Sequence, residues 1–437
     1  MQRCSVFLSG ALLVGNAASA LAQAKKVSKP SPPSPAAMVK TAPAFEVDPM
    51  WPRPMPDHYI LGSATGVAVD SRDHIFVVNL TDSFNQRTES GLATNPPTGE
   101  CCMPAPNVVE YDAAGALVGH FGGPGPGYNW PEQNAGIGVD DAGNVWIGGQ
   151  GGQDTRILKF SRDGKFIAQF GQAGAPIAAQ AARGPDTAYQ GVSPGRGGRG
   201  RGGRAATPAL PANSLSMDTF GGAAGFSFDT KADEAFVADG MRNHRVAVID
   251  MNTGAIKRMW GAYGNKPDDA AAPKSYDPSA APAKQFGAPV MCAKLAGDGL
   301  VYVCDTQNDR IQVFKKDGSF VKEKIIAPQT RGTGSVWDVA FSSDAGQKYL
   351  YVADGMNMKV WVLDRASLDV LTSFGDGGRQ PGQFYAVHSV ATDSKGNIYT
   401  VETYEGKRIQ KFNYKGIKPV MKTNEGVLWP AAPRSKP

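Results

Sequence analysis

Beyond residue 24 the chain lacks any apolar run approaching the ~18–20 residues of a bilayer-spanning helix, so no membrane span is expected in its body. Its formal net charge is only +5, and that has a local origin. With Arg3 and the four arginines of residues 195–204 set aside, the remaining basic residues equal the 40 acidic ones. A neutral body argues against a broad nucleic-acid surface. Histidine and cysteine are scarce, five of each, which leaves few candidates for metal ligation or for cross-linking.

Residues 1–24 combine a basic residue at Arg3, an apolar stretch through Val14 and the small-residue pattern Ala22-Gln23-Ala24. This reads as a secretory signal peptide, with export to the periplasm or the extracellular space as the expectation. Residues 25–43 follow as a proline-rich linker, because residues 29–35 favour polyproline II and cannot build a core. A single domain is expected over residues 44–420, with residues 421–437 as a C-terminal tail.

Within that domain one pattern recurs six times. An apolar strand ends near a polar turn and a second strand follows: residues 66–70 to 75–78, 137–140 to 145–147, 226–229 to 235–237, 291–303, 339–352 and 389–401. A second half comes after it, with alternating apolar residues and often an aromatic–Gly ending, as at residues 156–171, 245–261, 310–314, 359–375 and 408–412. The period of two argues strands that bury one side, so each repeat supplies about four strands, one propeller blade. The fold class predicted is all-β, a six-bladed β-propeller with long rim insertions at residues 79–106 and 173–218. Ring closure removes exposed sheet edges, and residues 44–48 are expected to provide the last blade's outer strand as a latch.

The arginine–glycine stretch at residues 195–204 lies in the second insertion. Such segments can bind anionic polymers, but a polar surface loop is the simpler reading and no nucleic-acid partner is expected. Of the cysteines, Cys4 leaves with the signal peptide. Cys292 and Cys304 are equidistant from Asp298 in a Gly297-Asp298-Gly299 turn, which sets them opposite one another and predicts a disulfide, with two buried thiols as the alternative. Adjacent Cys101 and Cys102 are either a vicinal disulfide or a thiol or metal site.

Residues 237–246 (Val-Ala-Asp-Gly-Met-Arg-Asn-His-Arg-Val), 381–389 (Pro-Gly-Gln-Phe-Tyr-Ala-Val-His-Ser) and 406–412 (Gly-Lys-Arg-Ile-Gln-Lys-Phe) resemble the NHL-repeat six-bladed propellers, and among them the peptidyl-α-hydroxyglycine α-amidating lyases. The resemblance runs from about Ala44 to Gly416. It implies a zinc held by three channel histidines, with calcium as a further possible ion, and an arginine and a tyrosine acting on substrate. Carried onto this chain, the histidine positions fall on Ala135, Met291 and His388, the tyrosine on Met241 and the arginine near Leu80. One imidazole does not hold catalytic zinc, so no cofactor and no metal ligand set is expected. The residue just before each blade's first strand is expected to face the central channel.

The candidate site is therefore His388, as ligand contact or as a general base with a pKa suited to neutral pH, with Met241, Met291, Trp337, Asp338 and Tyr385 as ligand-binding residues. The recurrent Asp239, Asp305 and Asp354 with Asn243, Asn308 and Asn357 are expected to shape turns. Three functions remain open: a binding propeller taking a peptide, polymer or small organic molecule at the channel mouth; a divergent lyase or hydrolase centred on His388; and a protein-interaction scaffold.

Overall fold

The computed structural model describes residues 40–172 and 209–430. The signal peptide, most of the proline-rich linker, the arginine–glycine stretch and residues 431–437 lie outside the described residues. The described chain forms six four-stranded antiparallel sheets in a six-bladed β-propeller. Blade 1 comprises Ser63–Val69, Ile75–Leu80, Val108–Tyr111 and Leu117–Phe121; blade 2, Asn134–Val139, Val145–Gly149, Ile157–Phe160 and Phe166–Phe170. Blade 3 comprises Ala223–Asp229, Glu234–Asp239, Arg245–Asp250 and Ile256–Trp260; blade 4, Val290–Leu295, Leu300–Asp305, Arg310–Lys315 and Phe320–Ile325. Blade 5 comprises Asp338–Phe341, Tyr349–Asp354, Lys359–Asp364 and Val370–Phe374. Blade 6 takes Val387–Thr392, Ile398–Glu402 and Arg408–Pro419 from the C-terminal part of the chain and Thr41–Val47 from its beginning.

That last pairing is the latch: Phe45 lies opposite Tyr414 and Val47 opposite Phe412. First strands touch in blade order, and blade 6 closes on blade 1. The expected one-sided burial holds only for outer strands such as Leu117–Phe121, where intermediate and exposed residues alternate. Inner strands such as Ile75–Leu80 and Tyr349–Asp354 are buried throughout, because neighbouring blades cover both faces of each sheet. Within the C-terminal tail, residues 421–430 form a strap. Ser373 donates to the Thr423 carbonyl, Glu425 to Ser373 and Val47 to Leu428, so the strap runs from blade 5's outer strand to blade 6's.

The recurrent carboxylates shape the blades as expected. Asp239 accepts the backbone N–H of Gly221 at 2.6 Å and Asp305 that of Gly287 at 2.9 Å, each a residue in the segment leading into its own blade. Glu402 does the same for Tyr385 at 2.7 Å. Asn243, Asn308 and Asn357 each donate to the carboxylate of their own blade. Arg245, Arg310 and Arg408 complete the arrangement, with Nε 2.6–2.7 Å from Asp239, Asp305 and Glu402.

The first insertion pairs Met103–Pro104 in parallel with Tyr59–Ile60, and Cys101 is bonded to Cys102. Its first residues, Asn79 and Leu80, belong to blade 1. Cys292 and Cys304 are direct cross-strand partners joined by a disulfide. A third long connection, residues 265–289, was not distinguished in the sequence. It meets the second insertion where Ser214 N–H donates to Asp269 at 2.9 Å.

Candidate functional site

The residues facing the axis are set by an irregularity repeated in the first strands. In blades 1, 3, 4 and 6 the ladder skips one residue: Thr65, Ala224, Met291 and His388 respectively. A bulge leaves its extra residue unpaired and re-aims its side chain. All four line a central cavity, joined by Trp337 at the start of blade 5. The channel-facing positions thus lie inside the first strands rather than just before them, except at Trp337, whose N–H bonds the Ala353 carbonyl at 2.9 Å.

Blade 2 differs. Its ladder skips both Ala135 and Gly136, and Gly136 lines the cavity while Ala135 is buried beside it. A Cβ on Gly136 would stand 2.5 Å from the Ala224 carbonyl oxygen, so the close approach of blades 2 and 3 requires glycine there. The first strands are drawn tightly together, and the cavity encloses only about 10 Å³, room for about one water.

Beside His388 a network spans four blades. Asp338 Oδ2 accepts the Ser389 hydroxyl at 2.6 Å and the Val390 N–H at 3.2 Å. Its Oδ1 accepts the Val339 N–H at 2.8 Å and lies 3.4 Å from Lys294 Nζ. Val67 N–H in turn donates to Ser389 Oγ at 3.3 Å. Asp338 is therefore a clamp between blades with its lone pairs engaged, and Lys294 carries the compensating charge.

His388 stands edge-on to Trp337, with ring centroids 5.4 Å apart and planes at 85°. The indole N–H is spent on the Gly334 carbonyl at 2.7 Å. Enclosure by protein pushes the imidazole pKa down to about 4, against smaller raising effects of the Asp338 charge and of a hydrogen bond to the Thr65 backbone. The expectation of a pKa suited to neutral pH is therefore not met, because burial disfavours the charged ring. With one nitrogen donating to the Thr65 backbone, the other, Nδ1, has no partner among the described residues, and neither has the Thr65 hydroxyl. Both orphaned atoms belong to residues lining the cavity.

Of the residues singled out in the sequence, His388, Met291, Trp337 and Asp338 come together. Met241 sits on the blade 3 loop after Glu234–Asp239, its N–H on the Gly222 carbonyl. Tyr385 leads into blade 6 beneath the Arg379 guanidinium, 5.0 Å from its ring. Neither lines the cavity. Leu80, onto which the resemblance carries an arginine, is buried in blade 1. The other histidines lie elsewhere: His58 in the chain leading to blade 1, His74 in a hairpin turn against Glu110, His120 in an outer strand and His244 between strands of blade 3. Sequence reasoning missed Thr65, Lys294 and Ser389. Thr65 was recoverable, since it stands five residues before Asp70 as His388 stands five before Asp393.

The donor set does not fit zinc. Around the single imidazole stand a thioether, an indole and a carboxylate already bonded to two backbone N–H groups, a hydroxyl and an ammonium, whereas zinc takes three or four N, O or S ligands in a tetrahedral shell. The one cluster of three potential ligands among the described residues, Cys292, Cys304 and Asp338, includes two sulfurs joined to each other.

No family model matches the chain, and no curated protein matches it. Among solved structures it is similar to a streptogramin B lyase, at 11% identity and a TM-score of 0.43 over 86% of this chain and 98% of that one. It is also similar to a catalytically inactive virginiamycin B lyase from Staphylococcus aureus with quinupristin, at 12% identity and a TM-score of 0.42 over 89% and 93%.

Proposed function

We propose that this is an exported binding propeller of the NHL type, related to the amidating lyases but without their zinc, and that it captures a small organic molecule or peptide at the His388 end of the channel. The observation that carries the reading is the pair of unpartnered polar atoms, His388 Nδ1 and Thr65 Oγ1, on residues lining one polar cavity. Buried polar atoms without partners are uncommon and call for a bound group. The cavity admits one atom of a ligand rather than its body, which would rest outside against the rim.

The lining also constrains what enters. His388 is neutral at physiological pH and Lys294 is offset by Asp338, so a charged group would be desolvated without a counter-charge. A neutral hydroxyl or amide suits the acceptor nitrogen and the adjacent hydroxyl. A base of pKa about 4 is poorly matched to proton abstraction at neutral pH, which weighs against the divergent lyase or hydrolase.

The test is a thermal-stabilisation screen of the protein with blocked dipeptide amides and small alcohols, run beside metal analysis. Hits that lose their effect in His388→Ala and Trp337→Ala, with no zinc retained, support the reading. One equivalent of zinc abolished by His388→Ala would overturn it in favour of the lyase.

A further inference from the structure

A second cleft lies at the opposite end of the ring, where the hairpin turns of blades 5 and 6 approach the outer strands of blade 6. It encloses about 370 Å³, within the ~300–1,000 Å³ of small-ligand sites. Three tyrosines, Tyr349, Tyr351 and Tyr414, line it together with Ser343, Asp344 and Lys348.

Tyr351 is only 1% exposed, and Tyr414, Asp344 and Tyr349 lie near enough to act electrostatically on its phenol. Burial raises the pKa of Tyr351 and of Tyr414, so both phenols stay protonated and able to donate. Tyr414 is anchored on Phe45, with centroids 6.0 Å apart, and keeps 37% of its surface exposed. The lining carries one charge of each sign: Asp344 is held by the Ser342 hydroxyl and the Lys348 N–H, and the Lys348 ammonium lies over the Tyr349 ring at 5.5 Å.

Hydroxyl-rich and aromatic, with one charge of each sign, this lining has no net charge to select an anion or a cation. A ligand with an apolar ring face and several hydroxyls uses every feature: C–H groups against an exposed aromatic ring, hydroxyls exchanging hydrogen bonds with phenols and serine. We propose that the cleft between blades 5 and 6 binds a neutral pyranose sugar, laid against Tyr414 with a hydroxyl reaching Tyr351.

The experiment is saturation-transfer NMR on the full chain with glucose, N-acetylglucosamine and cellobiose at millimolar concentration. At least one sugar should receive saturation on its ring C–H protons. Tyr414→Ala should weaken its binding by about tenfold. Tyr351→Phe, which keeps the packing and removes one hydroxyl, should weaken it several-fold while leaving thermal unfolding near that of the parent. His388→Ala should leave it unchanged, which separates this site from the channel. The proposal is overturned if none of the three sugars is saturated by the folded protein, or if the binding observed is the same in Tyr414→Ala and Tyr351→Phe as in the parent.

Discussion

Trp337, at the start of blade 5, and His388, in the first strand of blade 6, meet edge to face at 5.4 Å beside the central cavity. The contact belongs to the neutral imidazole, and this fixes how stability responds to pH. The unfolded ring takes up its proton near 6.5, the folded ring only near 4. Above about 6.5 both states are neutral and His388 has no effect. As pH falls from 6.5 towards 4 the unfolded state binds the proton first, so stability is lost, by up to ~3 kcal/mol from this group. Urea unfolding at several pH values should show a smaller acid loss in His388→Gln than in the parent. An identical loss in both would place the ring's pKa at its ordinary value.

Arg310 and Asp305 form a buried ion pair between strands of blade 4. Arg310 is 1% exposed and Asp305 fully buried, with Nε 2.7 Å from Oδ2. Removing the cation leaves a carboxylate without its counter-charge, so Arg310→Met should cost about 3–5 kcal/mol. The double variant Arg310→Met with Asp305→Asn should recover part of that. Denaturant midpoints decide the matter, and a single-variant loss below ~1 kcal/mol would mean that the pair does not organise the loop.

The four cysteines among the described residues should resist alkylation in denaturant until a reductant is added, and peptide mapping should recover 292 linked to 304 and 101 to 102. Replacing Cys292 and Cys304 together by alanine should lower stability by roughly 2–3 kcal/mol, the contribution of so short a loop in the chain-entropy model. Free thiols at both positions in the oxidised protein would contradict the pairing.

The ring was legible because blade architecture is written locally, in apolar strands ending at turn residues such as Asp70, Asp140 and Asp393, whose carboxylates accept the backbone N–H groups of their own turns. The disulfide was legible for the same reason, since a hairpin turn fixes its register. The channel was only partly so. His388 stood out as a singular residue, but the bulges that aim it, Thr65 and Met291 at the axis leave no residue type of their own in the sequence. Lys294 escaped notice because its partner, Asp338, lies on the next blade, a contact created by ring closure rather than by local pattern. The strap over residues 421–430 was equally hidden, as it uses backbone groups that any sequence supplies.

Ring closure itself rests on Phe45. It is 7% exposed and packs at 5.4 Å from Tyr351, 5.5 Å from Phe374 and 6.0 Å from Tyr414, so one side chain joins the latch strand to blade 5 as well as to blade 6. Truncating a buried aromatic removes its transfer energy and leaves a cavity, so Phe45→Ala should lower stability by about 3–5 kcal/mol. Deleting residues 41–48 should do more, because it strips Arg408–Pro419 of its antiparallel partner and opens a strand edge able to pair with other chains. Deleting residues 27–35 should leave the melting temperature unchanged. Thermal unfolding with light scattering compares the three variants. Equal tolerance of the two deletions would show that the ring closes without the N-terminal strand.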